Sequence, residues 1–125
     1  MTLIYHITTR QSWLDALSIG EYRPASLASD GIIHFSELRQ VLGVANAFYV
    51  GQKDLVILVV EPSCLEAELK YEAPVHPSAS ASTPPADDLF PHLYGPLNAD
   101  AVVAVVDLPL GADGTFVLPA GISDE

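Results

Sequence analysis

Leu55-Val56-Ile57-Leu58-Val59-Val60 is an unbroken aliphatic run in which half the residues are valine. Such a stretch, with no polar position on either alternate set, matches a central strand covered on both faces. The fold must therefore supply an apolar layer on each side of it.

Upstream, Leu3-Ile4-Tyr5-His6-Ile7 reads as a second buried strand. Thr8 opens a Thr-x-x-Gln spacing that ends at Gln11, the signature of a helix N-terminus. Trp13, Leu14, Ala16 and Leu17 supply that helix's apolar face, and Gly20 ends it. Glu21 to Leu27 is expected to be extended, because Pro24 drives Arg23 out of the helical region. Ser29-Asp30-Gly31 signals a turn before a strand over residues 32–35. Ser36 is placed to cap a helix whose stripe is Leu38, Val41, Leu42, Ala45, Phe48 and Tyr49, closed by Gly51.

Downstream, Pro62 to Leu65 suggests one helical turn and residues 69–72 a short strand. Residues 73–89 are rich in Pro, Ser and Ala, and are expected to form a flexible loop, either a lid over a site or simply disordered. Ala101 to Val106 is the last strong strand, and Phe116 to Leu118 adds an edge. Helices separate only the early strands, so the expectation is an α+β domain with a mixed, mainly antiparallel sheet and two or three short helices.

One domain spanning residues 1–125 fits the length and the 50% hydrophobic content. Five basic residues against sixteen acidic ones give a formal net charge of -11, a field that repels polynucleotides. No nucleic-acid partner is expected, whereas a small anionic molecule can still be held locally by an arginine or a helix N-terminus. The lone Cys64 fits a reducing compartment and reads as a small buried hydrophobe. No apolar run approaches the roughly 20 residues needed to cross a bilayer, so a cytoplasmic protein without a membrane partner is expected.

Three of the four histidines lie in defined settings: His6 in the first strand, His34 before Phe35 and Ser36, and His92 in Phe90-Pro91-His92-Leu93-Tyr94-Gly95. Histidine changes charge near neutral pH and can donate, accept or carry a proton. Alternation puts Ile4 and His6 on one strand face, and Ile32, His34 and Ser36 on one face of the next. The expected cleft gathers His6, Thr8, Arg23, His34, Ser36, His92 and Tyr94, with the three histidines as proton-handling groups. Thr8, Arg23, Ser36 and Tyr94 are then the ligand-holding groups. Local metal-binding spacings such as HExxH are absent and no metal is expected, which leaves a histidine-based metal-dependent hydrolase as an outside alternative. There is no GxSxG elbow for a serine hydrolase.

The series Tyr5-His6-Ile7-Thr8, Trp13, Gly20-Glu21-Tyr22, residues 30–36, residues 48–51 and residues 90–96 resembles the DUF952 family, small bacterial proteins without an established activity. That family is in turn similar to the ADP-ribosyltransferase superfamily, specifically its RNA 2'-phosphotransferase branch. The resemblance implies an ADP-ribosyltransferase-like split sheet that grips NAD or a related nucleotide. It also implies that His6 with Thr8 holds the ribose and that His34 with Ser36 lies on the facing strand. A late carboxylate is implied as well, for which Glu61, Glu72 and Asp100 are the candidates. A non-catalytic binding or interaction module on the same fold is the alternative.

Overall fold

The computed structural model describes residues 3–72, 89–117 and 119, and among them every strand pairing is antiparallel. In chain order the elements are β1 (Ile4–Thr9), α1 (Arg10–Ile19), β2 (Glu21–Tyr22), α2 (Ala25–Asp30), β3 (Ile33–His34) and α3 (Leu38–Phe48). There follow β4 (Leu55–Val60), a 3-10 turn (Pro62–Cys64), β5 (Glu68–Glu72), β6 (Phe90–Tyr94) and β7 (Leu97–Asn98). A second 3-10 turn (Ala99–Ala101) leads into β8 (Val102–Leu108). The strands form three sheets ordered β1-β4-β8, β2-β7 and β3-β6-β5. No helix among the described residues is long and apolar enough to cross a membrane.

The aliphatic run behaves as its composition dictates. All six residues of β4 are buried, between β1 and β8. Val56, Leu58 and Val60 join Ile4, Trp13, Tyr22, Phe35 and Leu93 in one core, while Leu55, Ile57 and Val59 join Tyr5, Val41 and Leu108 in the other. Alternation along one strand thus feeds two apolar layers.

Among the described residues, the first and third sheets meet at a single isolated bridge. Tyr5 and Ser36 exchange both backbone hydrogen bonds, at 2.8 and 2.7 Å. Two residues further in an antiparallel ladder, Ile7 would face His34. That pair does not form among the described contacts, because β1 and β3 part there and each joins a different partner strand.

Several local expectations shift by a residue or more. Thr9, not Thr8, caps α1 and accepts from the Ser12 amide, because β1 stays paired with β4 through Thr9. Of the expected α1 stripe, Trp13 and Ala16 are buried whereas Leu14 and Leu17 are exposed. Gly20 does end α1, in the left-handed conformation (φ 95°) that glycine adopts without strain. The extended stretch expected to Leu27 stops at Tyr22, and Pro24 leads into α2, its fixed φ suiting a helix entrance. Ser36 is consumed by its bridge to Tyr5, so Glu37 caps α3 in a reciprocal capping box with Gln40. That helix ends at Phe48, before the turn that contains Gly51.

Cys64 is exposed rather than buried, at the end of a surface 3-10 turn. Phe116 and Val117 form no strand. Phe116 is buried, and its backbone N–H and C=O are bonded instead by the Asn46 side chain on α3, at 2.8 and 3.1 Å. Leu118 and residues 73–88, nearly all of the expected flexible loop, lie outside the described residues. Among the described residues, the outer strands β5 and β8 differ in chemistry: β5 carries Glu68, Lys70 and Glu72, whereas β8 exposes Val103 and Val105.

Candidate functional site

His6 and His34 stand on opposite faces of the parted strands. His6 shares its face with Ile4, packs against the rings of Tyr22 (5.2 Å) and Phe35 (5.4 Å), and is 9% exposed. Its Nδ1 lies 2.6 Å from the carbonyl oxygen of His34, and its Nε2 lies 2.8 Å from the Tyr22 hydroxyl. A carbonyl only accepts, so Nδ1 carries a proton. Burial lowers the imidazole pKa to about 4, which leaves the ring neutral near pH 7 and Nε2 an acceptor. The Tyr22 hydroxyl must then donate to Nε2, and the Thr8 hydroxyl, 2.9 Å away, must donate to Tyr22. Burial also pushes the Tyr22 phenol up to about 12, so it remains protonated in this chain.

The other face of the split carries the second group. His34 pairs with His92 across β3 and β6, and His92 with Lys70 across β6 and β5, so all three side chains stand on one face. Ile33, Leu93 and Leu69 take the alternate positions, pointing into the core or packed against it. The His34 and His92 rings meet edge to face at 5.3 Å. His34 Nε2 is 3.5 Å from Asp30 Oδ2, and its side chain is 32% exposed. His92 is 1% exposed, and its Nδ1 donates to Glu72 Oε1 at 2.9 Å. The Tyr94 hydroxyl donates to both Glu72 oxygens, at 2.6 and 2.8 Å, and Lys70 Nζ sits 4.9 Å from the Tyr94 ring centre.

These donors have a chemical consequence. The Tyr94 hydroxyl first, and His92 second, hold the Glu72 carboxyl below its ordinary pKa. Reciprocally, the bond to Glu72 raises the Tyr94 phenol. Glu72 is thus an ionised, partly exposed carboxylate fixed in direction by two side chains. The other two acidic candidates do local work: Glu61 accepts from Ser63, and Asp100 accepts from Asn98.

The seven expected residues therefore divide. His34, His92 and Tyr94 come together, and Glu72, Lys70 and Asp30 join them. His6 and Thr8 form a separate buried chain with Tyr22 that touches the first group through the His34 backbone. Ser36 is buried in the bridge to Tyr5. Arg23 is exposed and ion-paired with Glu21, and Arg10 is occupied by Asp54 and Asp107. Lys70 carried no signal in sequence, and Tyr22 stood only within the Gly20-Glu21-Tyr22 motif with no role attached, since the roles of both follow from which strands pair. Among the described residues no three His, Cys, Asp or Glu side chains are grouped to hold a metal ion, which leaves the hydrolase alternative without a ligand set there.

The chain belongs to the DUF952 family, described as a protein of unknown function, which matches residues 7–105. It is similar to the crystal structure of protein CC0527 from Caulobacter crescentus, at 37% identity over 93% of this chain and 94% of that one, with a TM-score of 0.78. The solution NMR structure of CC0527 is similar at 39% identity, covering 92% and 91% of the two chains, with a TM-score of 0.71. Among curated proteins, none matches the chain.

Proposed function

We propose that this DUF952 domain has an ADP-ribosyltransferase-like cleft and binds a small nucleotide or NAD-like ligand on the face formed by His34, His92, Glu72, Tyr94 and Lys70. The observation that carries the reading is the Glu72 carboxylate, ionised and held by Tyr94 and His92 beside the partly exposed His34 imidazole. A fixed carboxylate accepts hydrogen bonds from a ribose diol, while a histidine and a lysine on the same face suit a phosphate or other small anion. In the group-transfer form of the proposal, the acceptor oxygen bonds to the ribose C1' as the bond from C1' to the nicotinamide nitrogen breaks and neutral nicotinamide leaves; His34 takes the acceptor's proton, and Glu72 steadies the positive charge developing on the ribose.

The experiment is titration of the protein with NAD, ADP-ribose and simpler nucleotides, followed by histidine-ring NMR. Displacement of the His34 and His92 signals by at least one of them, weakened in Glu72→Gln, is the expected result. Ring signals that none of these compounds displaces would refute the proposal.

A second reading, binding without reaction, is favoured by the burial of His92, whose Nδ1 is committed to Glu72. It predicts ligand binding with no product released in the presence of hydroxyl acceptors. Chromatography of the nucleotide after prolonged incubation separates the two readings.

A further inference from the structure

We infer that His6 is a positioning residue: it fixes the His34 imidazole by holding the His34 main-chain carbonyl, and makes no contact with ligand itself. The inference rests on reading the His34 face as the binding site, and it replaces the ribose-holding role that resemblance implied for His6.

The argument begins with the backbone. Because Tyr5 and Ser36 form a doubly hydrogen-bonded pair, the residues whose N–H and C=O groups point across the same gap are Ile7 on one side and His34 on the other. The His34–His92 pair has the opposite parity with respect to β6, since the Phe35 amide next to it bonds Pro91. The His34 carbonyl therefore points away from β6, toward β1, just where β1 departs. A buried carbonyl left there without a donor costs about 1–3 kcal/mol. His6 Nδ1 supplies the donor at 2.6 Å, in place of the Ile7 amide that a continued ladder would bring.

The ring is gripped from its other side. Nε2 accepts from Tyr22 of β2, which is itself tied to Thr8 of β1. One imidazole thus joins all three sheets: β1 carries it, β3 is its acceptor and β2 its donor. With both nitrogens engaged within the protein and the ring buried, no atom of His6 is left to meet a ribose. Its influence passes instead through the two-residue strand β3, where the held carbonyl fixes the backbone that aims His34 at His92 and Asp30.

The test compares two amide substitutions of the intact chain. Asn carries its amide nitrogen near the position of Nδ1 and can still donate to the His34 carbonyl, whereas Gln reaches toward Nε2 and cannot. In the unsubstituted protein, nitrogen-15 shifts are expected to show the His6 proton on Nδ1; a ring protonated on Nε2 overturns the inference before any variant is made. His6→Gln is expected to displace the His34 ring cross-peaks and to weaken NAD binding about tenfold, the size typical when a group orienting a binding side chain is lost. His6→Asn is expected to leave both close to those of the parent. Equal displacement of His34 in the two variants, or displacement in neither, overturns the inference. Failure of NAD, ADP-ribose and simpler nucleotides alike to bind the parent would sink the proposed function and leave this inference standing, because the ring cross-peaks decide the role of His6 without ligand.

Discussion

Acidification should destabilise this protein through His6. In the unfolded chain the imidazole regains its ordinary pKa of 6.5, whereas burial in the fold holds it at about 4. Between those values the unfolded state binds the proton and the folded state does not, so stability is complete above pH 6.5 and falls as the pH drops toward 4. At ~1.4 kcal/mol per pKa unit, the full loss is about 3 kcal/mol, of which about 2 kcal/mol is gone by pH 5. For a domain whose total stability is on the order of 5–15 kcal/mol, that is a substantial fraction. The lowered carboxyls of Glu72 and Asp113 titrate at lower pH, so they contribute to the loss chiefly below this window. Urea unfolding curves at pH 7.5, 6, 5 and 4 supply the measurement, with His6→Asn run in parallel. The variant should begin less stable, having lost the bond to Tyr22, and the gap should narrow by about 3 kcal/mol as the pH falls to 4. Parallel pH profiles for the two proteins, or a His6 ring that titrates near 6.5 in the folded chain, would refute the reasoning.

Other expectations bear on other parts of the structure. Glu72→Gln removes the carboxylate that raises the Tyr94 phenol, so ultraviolet titration should place a tyrosine ionisation at lower pH than in the parent; an unchanged titration curve counts against the pair. Gly95→Ala brings a Cβ to 2.7 Å from the Ala67 Cβ and should cost about 1–3 kcal/mol in denaturant unfolding, whereas a neutral result would mean that the β6-to-β7 turn relaxes freely. Glu37→Ala breaks the capping box of α3 and should lower stability by about 1 kcal/mol without altering the histidine-ring signals.

Legibility in the sequence followed the range of the interaction. The burial of β4 was readable because both its faces meet apolar layers. The opposed faces of His6 and His34 were not, because alternation fixes faces only within each strand and the Tyr5–Ser36 register is what relates the two. Helix starts slipped by one residue wherever a tertiary pairing claimed the expected cap: Thr8 is bonded to Tyr22, and Ser36 is paired with Tyr5. Within the candidate site, His34, His92 and Tyr94 were found by their local settings. Glu72 could not be singled out from Glu61 and Asp100, because only the register of β5 on β6 sets its carboxylate against His92 and Tyr94. The role of His6 was likewise invisible, since a carbonyl that needs a donor exists only where two strands part company.

The parting of β1 from β3 also leaves a mark on solvent exchange. Along β1 the amides of His6 and Thr8 point to β4 and that of Tyr5 is locked to Ser36, whereas the Ile7 amide faces the gap, where the ladder has ended. Within one short strand, deuterium should thus enter at Ile7 long before it enters at Tyr5 or His6, although all three residues are buried. Exchange at that single amide therefore reports solvent access to the gap between the sheets without unfolding of the protein.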